Sequence, residues 1–125
     1  MGLFLWHIRT PRVVGRAVTP DGVEMFIVQQ CNWSAEPFTT YFVYRKPGAE
    51  WRKFYYDHQD IYWHRCRASI DTNAHVAVFY RGRSPAVTFA WDTETYTLHR
   101  WNRTTTTYEG LPSGWTPERS VFAER

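Results

Sequence analysis

RCRASIDTNAHVAVFYRGRSPAVTFAWDTETYTLH, residues 65–99, is the stretch that decides the fold class. Cys66, Ala68 and Ile70 alternate with Arg65, Arg67 and Ser69, and Val76, Val78 and Tyr80 alternate with His75, Ala77 and Phe79. Val87, Phe89 and Trp91 alternate with Thr88 and Ala90, and Tyr96 and Leu98 with Thr95, Thr97 and His99. A period of two is that of a strand laying one face on a core. The breaks between the runs are Asp71-Thr72-Asn73, Arg81-Gly82-Arg83 and Asp92-Thr93, all of turn-forming composition. The segment therefore reads as four strands joined by tight turns, a β-meander.

The same punctuation continues upstream at Thr19-Pro20-Asp21-Gly22 and Lys46-Pro47-Gly48. Residues 3–9 and 12–19 read as strands, with Gly15 marking a bulge or a close approach. In residues 23–30, Val23, Met25 and Ile27 oppose Glu24, Phe26 and Val28; both sets are largely apolar, which predicts a central strand covered on both faces. Residues 31–37 form a longer connection, 38–45 a strong strand, and 51–56 a further strand after the Lys-Pro-Gly turn. Residues 57–64 are polar and aromatic without a clear period, so they read as a loop. The threonine run at 104–107 extends a strand or an edge, and the tail from Gly110 is irregular, ending in a short turn of helix at 118–122. No amphipathic helix of useful length appears. The expectation is a single all-β domain over residues 1–125, an up-and-down antiparallel meander of eight or nine strands. Such an order must hide its edges, and closure does so completely. A small barrel is therefore expected, with a curved open sheet or a two-layer sandwich as the competing shapes.

Composition bounds the function. A chain of 125 residues is long enough to bury a core without staples. Aromatics make up 18% of it, including seven Trp, more rings than the core-like positions call for. The formal charge of +3 is modest, and only two of the fifteen basic residues, Lys46 and Lys53, are lysines. Arginine suits bidentate contacts and ring stacking, although a GC-rich coding sequence accounts for the bias as readily. Two cysteines, Cys31 and Cys66, make no disulfide framework and read as buried free thiols, with a single bond between them, brought together by separate strands, as the alternative. The apolar opening Gly2-Leu3-Phe4-Leu5-Trp6 is cut short by His7 and Arg9 and lacks the features of a signal peptide. No run is long enough to span a bilayer. A cytoplasmic location, away from membranes, follows as the expectation.

Three constellations could carry chemistry. Asp57, His58, Asp60 and His64 mix carboxylate and imidazole, which would suit a divalent metal or an acid–base pair. Their spacing matches no compact ligand motif, and neither a Gly-x-Ser-x-Gly elbow nor a catalytic cysteine context is present. A second group interleaves bases and rings: Arg45, Trp51, Arg52, Lys53, Phe54, Tyr55, Tyr56, Trp63, Arg65 and Arg67. It resembles the stacking grooves of single-strand binders, but Glu50, Asp57 and Asp60 interrupt it and the net charge is small. Ordinary packing, with arginine stems over rings, accounts for much of it. The third group, Trp33, Tyr41, Tyr44, Tyr55, Tyr62, Trp63 and Arg65, consists of the residue types enriched at binding hot spots. The leading expectation is a non-catalytic binding module that uses this aromatic and arginine face or cavity for a protein or small ligand, with no cofactor and no metal. The alternative is a metal-dependent or acid–base enzyme working through residues 57–64. A single-stranded nucleic-acid binder ranks third.

Overall fold

The computed structural model describes residues 11–31, 38–59, 65–99, 103–105, 109–111 and 115–122. The chain order is β1 (Arg12–Val18), β2 (Glu24–Cys31), β3 (Phe38–Arg45), β4 (Arg52–Gln59), β5 (Arg67–Asp71), β6 (Val76–Arg81), β7 (Ser84–Ala90), β8 (Thr95–Leu98), β9 (Arg103–Thr105) and β10 (Glu109–Gly110). A 3-10 turn (Pro117–Arg119) and β11 (Val121–Phe122) follow. The chain is all-β, as its alternation predicts. The strand proposed at 3–9 lies outside the described residues.

Two stacked meanders replace the expected barrel. The first sheet has the order β10-β4-β3-β2-β1-β11 and the second β5-β6-β7-β8-β9. Among the described residues, every pairing is antiparallel except that of β1 with β11. The correction has a simple reason: barrel and sandwich present the same inward alternation, so period alone does not choose between them. Closure would require a ladder between the two meanders. At the β1–β5 seam, the Cys66 amide donates to the Val14 carbonyl. At the far seam an ion pair, Arg52 Nη1 to Glu94 Oε2 at 3.3 Å, joins β4 to the β7–β8 turn. Edges are managed instead by the two-residue strands β10 and β11 and by charged residues on β5, Arg67 and Asp71.

Aromatic rings fill the space between the sheets. Phe42 lies 4.7 Å from Phe89, 5.5 Å from Tyr96, 5.8 Å from Phe79 and 6.1 Å from Phe54. Phe54 stacks on Tyr96 at 5.4 Å with 15° between planes. Met25, Ile27, Val87 and Leu98 complete the layer. In β6 the inward residues are Ala77 and Phe79, both fully buried, while Val76, Val78 and Tyr80 are half-buried on the opposite face. Both sets of β6 are apolar, and the ladder decides: Ala77 pairs with Ile70 and Phe89, which face inward. A polar pair also lies inside, with Gln29 Nε2 donating to Thr40 Oγ1 at 3.3 Å, both residues fully buried.

Three bulges shape the sheets. Val14 is the extra residue between the pairs Val13–Val28 and Gly15–Ile27. A Cβ on Gly15 would sit 3.1 Å from Phe79 Cδ2 and 3.4 Å from the Cβ atoms of Cys66 and Ile27. Gly15 is thus both bulge and close approach, as its position suggests. Tyr56 is the extra residue opposite Thr40–Tyr41. It breaks the alternation of β4, which is why the sequence there shows no period. Asp57, His58 and Gln59 are strand residues paired with Thr40, Thr39 and Phe38, a correction to the loop expected from residue 57. Ala86 is the third, between Val87 and Pro85.

The inner layer predicts its own mutational response. Phe42→Ala should lower the unfolding free energy by about 4 kcal/mol, from lost burial and the cavity left among five rings. Gly15→Val should lower it by about 2 kcal/mol through overpacking against Phe79. Urea unfolding followed by Trp emission measures both. A Phe42→Ala cost no larger than that of an exposed substitution would contradict this packing.

Candidate recognition face

The outer face of the first sheet carries a second apolar cluster: Val13, Phe26, Val28, Tyr41 and Val43. This bears out the reading of β2 as covered on both sides, with Met25 and Ile27 inward and Phe26 and Val28 outward. A sheet face left open to water would not bury Val28 and Val43 completely. Their cover comes from partly buried Trp51, Leu111 and Trp115.

Trp51 is the centre of that cover. The turn Lys46-Pro47-Gly48 is closed by the Ala49 amide bonding to the Lys46 carbonyl at 3.0 Å, and the chain then returns across the face. The Trp51 ring lies 5.8 Å from Phe26, and Trp115 meets it edge-on at 4.9 Å. The Arg45 guanidinium stands 4.5 Å from the Trp51 ring centroid. Arg45 is itself fixed by its cross-strand neighbour Glu24, with Nη2 at 2.6 Å and Nε at 3.2 Å from Oε1. Cation–ring contact is favourable when the cation is held over the face, and here Glu24 does the holding. Farther along, Lys53 Nζ lies 5.8 Å from the Tyr41 ring centroid. The buried indole N–H of Trp115 has no hydrogen-bond partner among the described residues.

Of the expected site residues, the three whose side chains are described, Tyr41, Tyr44 and Arg65, fall in three different places. Tyr41 belongs to the outer cluster, 9% exposed. Tyr44, also on β3, packs inward against Phe42, Phe54 and Phe89 and is 1% exposed, so it offers nothing to a ligand. Arg65 is exposed at the β1–β5 seam, with its guanidinium carbon 5.3 Å from the Phe122 ring centroid. Tyr55, Asp57 and His58 stand on β4 opposite Tyr41, Thr40 and Thr39. Trp33, Asp60, Tyr62, Trp63 and His64 lie outside the described residues. Among the described residues, no three His, Cys, Asp or Glu side chains converge on a metal position, and no helix is long and apolar enough to cross a membrane.

Of the base-and-ring group, the structure brings Arg45 and Trp51 together and sends Phe54 into the core. Trp115 escapes sequence reasoning because it sits in an aperiodic tail. The available signal was a lone Trp flanked by Gly114 and Pro117, where nothing local requires so large a ring.

Two groups titrate in an informative direction. Burial pushes the Tyr41 phenol up to about 12. Burial likewise pushes the Cys66 thiol up to about 11, against an opposing pull from Arg81, so at neutral pH it is a protonated, unreactive thiol. Each raised value contributes stability that is complete below the unfolded pKa and is lost as pH rises through the folded one. Unfolding free energy should therefore fall from about pH 9, by up to about 1.4 kcal/mol per pH unit for each group while only its unfolded form is ionised. Urea titrations between pH 8 and 11 measure the slope, and Cys66→Ala should flatten it even though its cavity lowers the starting value.

No known protein family, no curated protein and no solved structure matches this chain; the side chains themselves carry the functional argument.

Proposed function

We propose that this chain is a non-catalytic binding module whose ligand, a protein or a small molecule, docks on the outer face of the first sheet at Trp51. The observation that carries the reading is the bracing of Trp51. Glu24 fixes Arg45, Arg45 caps the indole, and Trp115 supports its edge. A ring that is half-buried and already oriented loses little conformational freedom when it stacks on a partner. The ligand so described presents a flat apolar group to the braced indole. The reading places the module in the cytoplasm, supported by a buried Cys66 that is in no disulfide.

Trp emission titrated with a panel of oligosaccharides, nucleosides and aromatic peptides tests the proposal. At least one probe should give saturable binding that Trp51→Ala weakens by about tenfold, the usual worth of one stacking contact. Arg45→Ala should weaken it in the same direction by loosening the ring. A uniformly silent panel, or binding indifferent to both substitutions in folded protein, overturns the reading.

A further inference from the structure

The β1–β5 seam holds a half-open cleft of about 250 Å³, lined by Gly15, Arg16, Arg65, Cys66 and Phe122. Its walls follow from the fold. The Val14 bulge turns a carbonyl outward, and the Cys66 amide takes it, drawing the start of β5 against β1. On the other side β11 pairs only with Arg12 and Val13, ending at Phe122. The space between these two attachments is the cleft.

Its chemistry is one-sided. Arg16 and Arg65 are both exposed, and among the described residues no carboxylate lines the walls. Neither arginine makes an ion pair with a described residue, whereas Arg45 is paired to Glu24 and Arg52 to Glu94. The field of Arg81 also reaches the sulfur of Cys66 on the floor. Phe122 is 38% exposed, one of only two large apolar side chains left so among the described residues, and Arg65 stands over its ring. Two guanidinium groups without an ion-pair partner among the described residues, beside a partly exposed ring, are matched by an oxyanion carried on an apolar ring. Guanidinium forks bind carboxylate and phosphate with charge-assisted hydrogen bonds, and the ring would cover Phe122. The volume is below that of pockets that take drug-sized ligands, which limits the occupant to about one ring.

We propose that the β1–β5 cleft is a binding site for a small aromatic oxyanion, an aryl carboxylate or aryl phosphate, gripped by Arg16 and Arg65 with its ring on Phe122. The site shares no residue with the Trp51 face, so either can fail without the other.

Four probes separate the contributions: phenyl phosphate, benzoate, inorganic phosphate and benzyl alcohol, each titrated into the full chain and followed by amide chemical shifts and calorimetry. Phenyl phosphate or benzoate should bind saturably, with shifts concentrated at residues 15–16, 65–66 and 122. Whichever binds tighter identifies the preferred oxyanion. Arg16→Ala and Arg65→Ala should each weaken binding about tenfold, the loss of one charge-assisted contact, and the double variant should abolish it. Phe122→Ala should reduce phenyl phosphate to the affinity of inorganic phosphate. Circular dichroism and urea midpoints confirm that the exposed-site variants remain folded. The proposal is overturned by absence of saturable shifts for both aryl anions, by unchanged binding in the double arginine variant, by benzyl alcohol binding as well as the anions, or by inorganic phosphate matching phenyl phosphate in the unsubstituted chain.

Discussion

Phe42 is the contact on which the rest of the structure depends. Its ring touches Tyr44 and Phe54 in its own sheet and Phe79, Phe89 and Tyr96 in the other. Interiors pack like molecular crystals, so rings of fixed size set the distance between the sheets that hold them. With that distance set, the sheets lie face to face on the ring layer, and their backbones come together at the rim, where the Cys66 amide reaches the Val14 carbonyl. The rims are where the molecule has room for a cleft.

Covering the inner layer leaves a problem on the far side of the first sheet. Phe26, Val28 and Val43 alternate outward from the same strands that bury Ile27 and Phe42. Trp51, Leu111 and Trp115 solve it, but only in part, because each stays partly exposed. The result is a small second core whose lid is a tryptophan braced by an ion-paired arginine. A lid of that kind covers the second core while keeping part of its own surface in water.

Arginine has a recurring task in this chain. Arg45 caps Trp51, Arg65 stands over Phe122, and Arg67 lies 4.2 Å from the centroid of Tyr80. A planar, weakly hydrated cation tolerates a ring face better than an ammonium does. Three of the basic residues, Arg45, Arg65 and Arg67, are thus each placed over a different aromatic partner. What distinguishes Arg65 is that its ring partner, Phe122, is itself exposed.

Strand existence was legible from residues 12–30, 38–45 and 65–99, because alternation and turn chemistry are local properties of the backbone and its punctuators. Gly15 was legible too, since a glycine inside a strand needs a reason. The face that Val76, Val78 and Tyr80 would take was not legible, because both sets of β6 are apolar and only pairing with β5 and β7 breaks the tie. The course of β4 past residue 56 was hidden by a bulge that scrambles its period. The candidate site was visible only as residue types: Arg45 and Trp51 are six apart, and nothing local shows that a turn folds one over the other, or that Trp115 arrives from the tail to support them. Sequence by itself determined an all-β chain of consecutive hairpins rich in rings. Whether the hairpins close or stack, which rings are sealed and which remain in reach of a ligand, only the tertiary structure decided, because those outcomes depend on contacts between strands far apart in the chain.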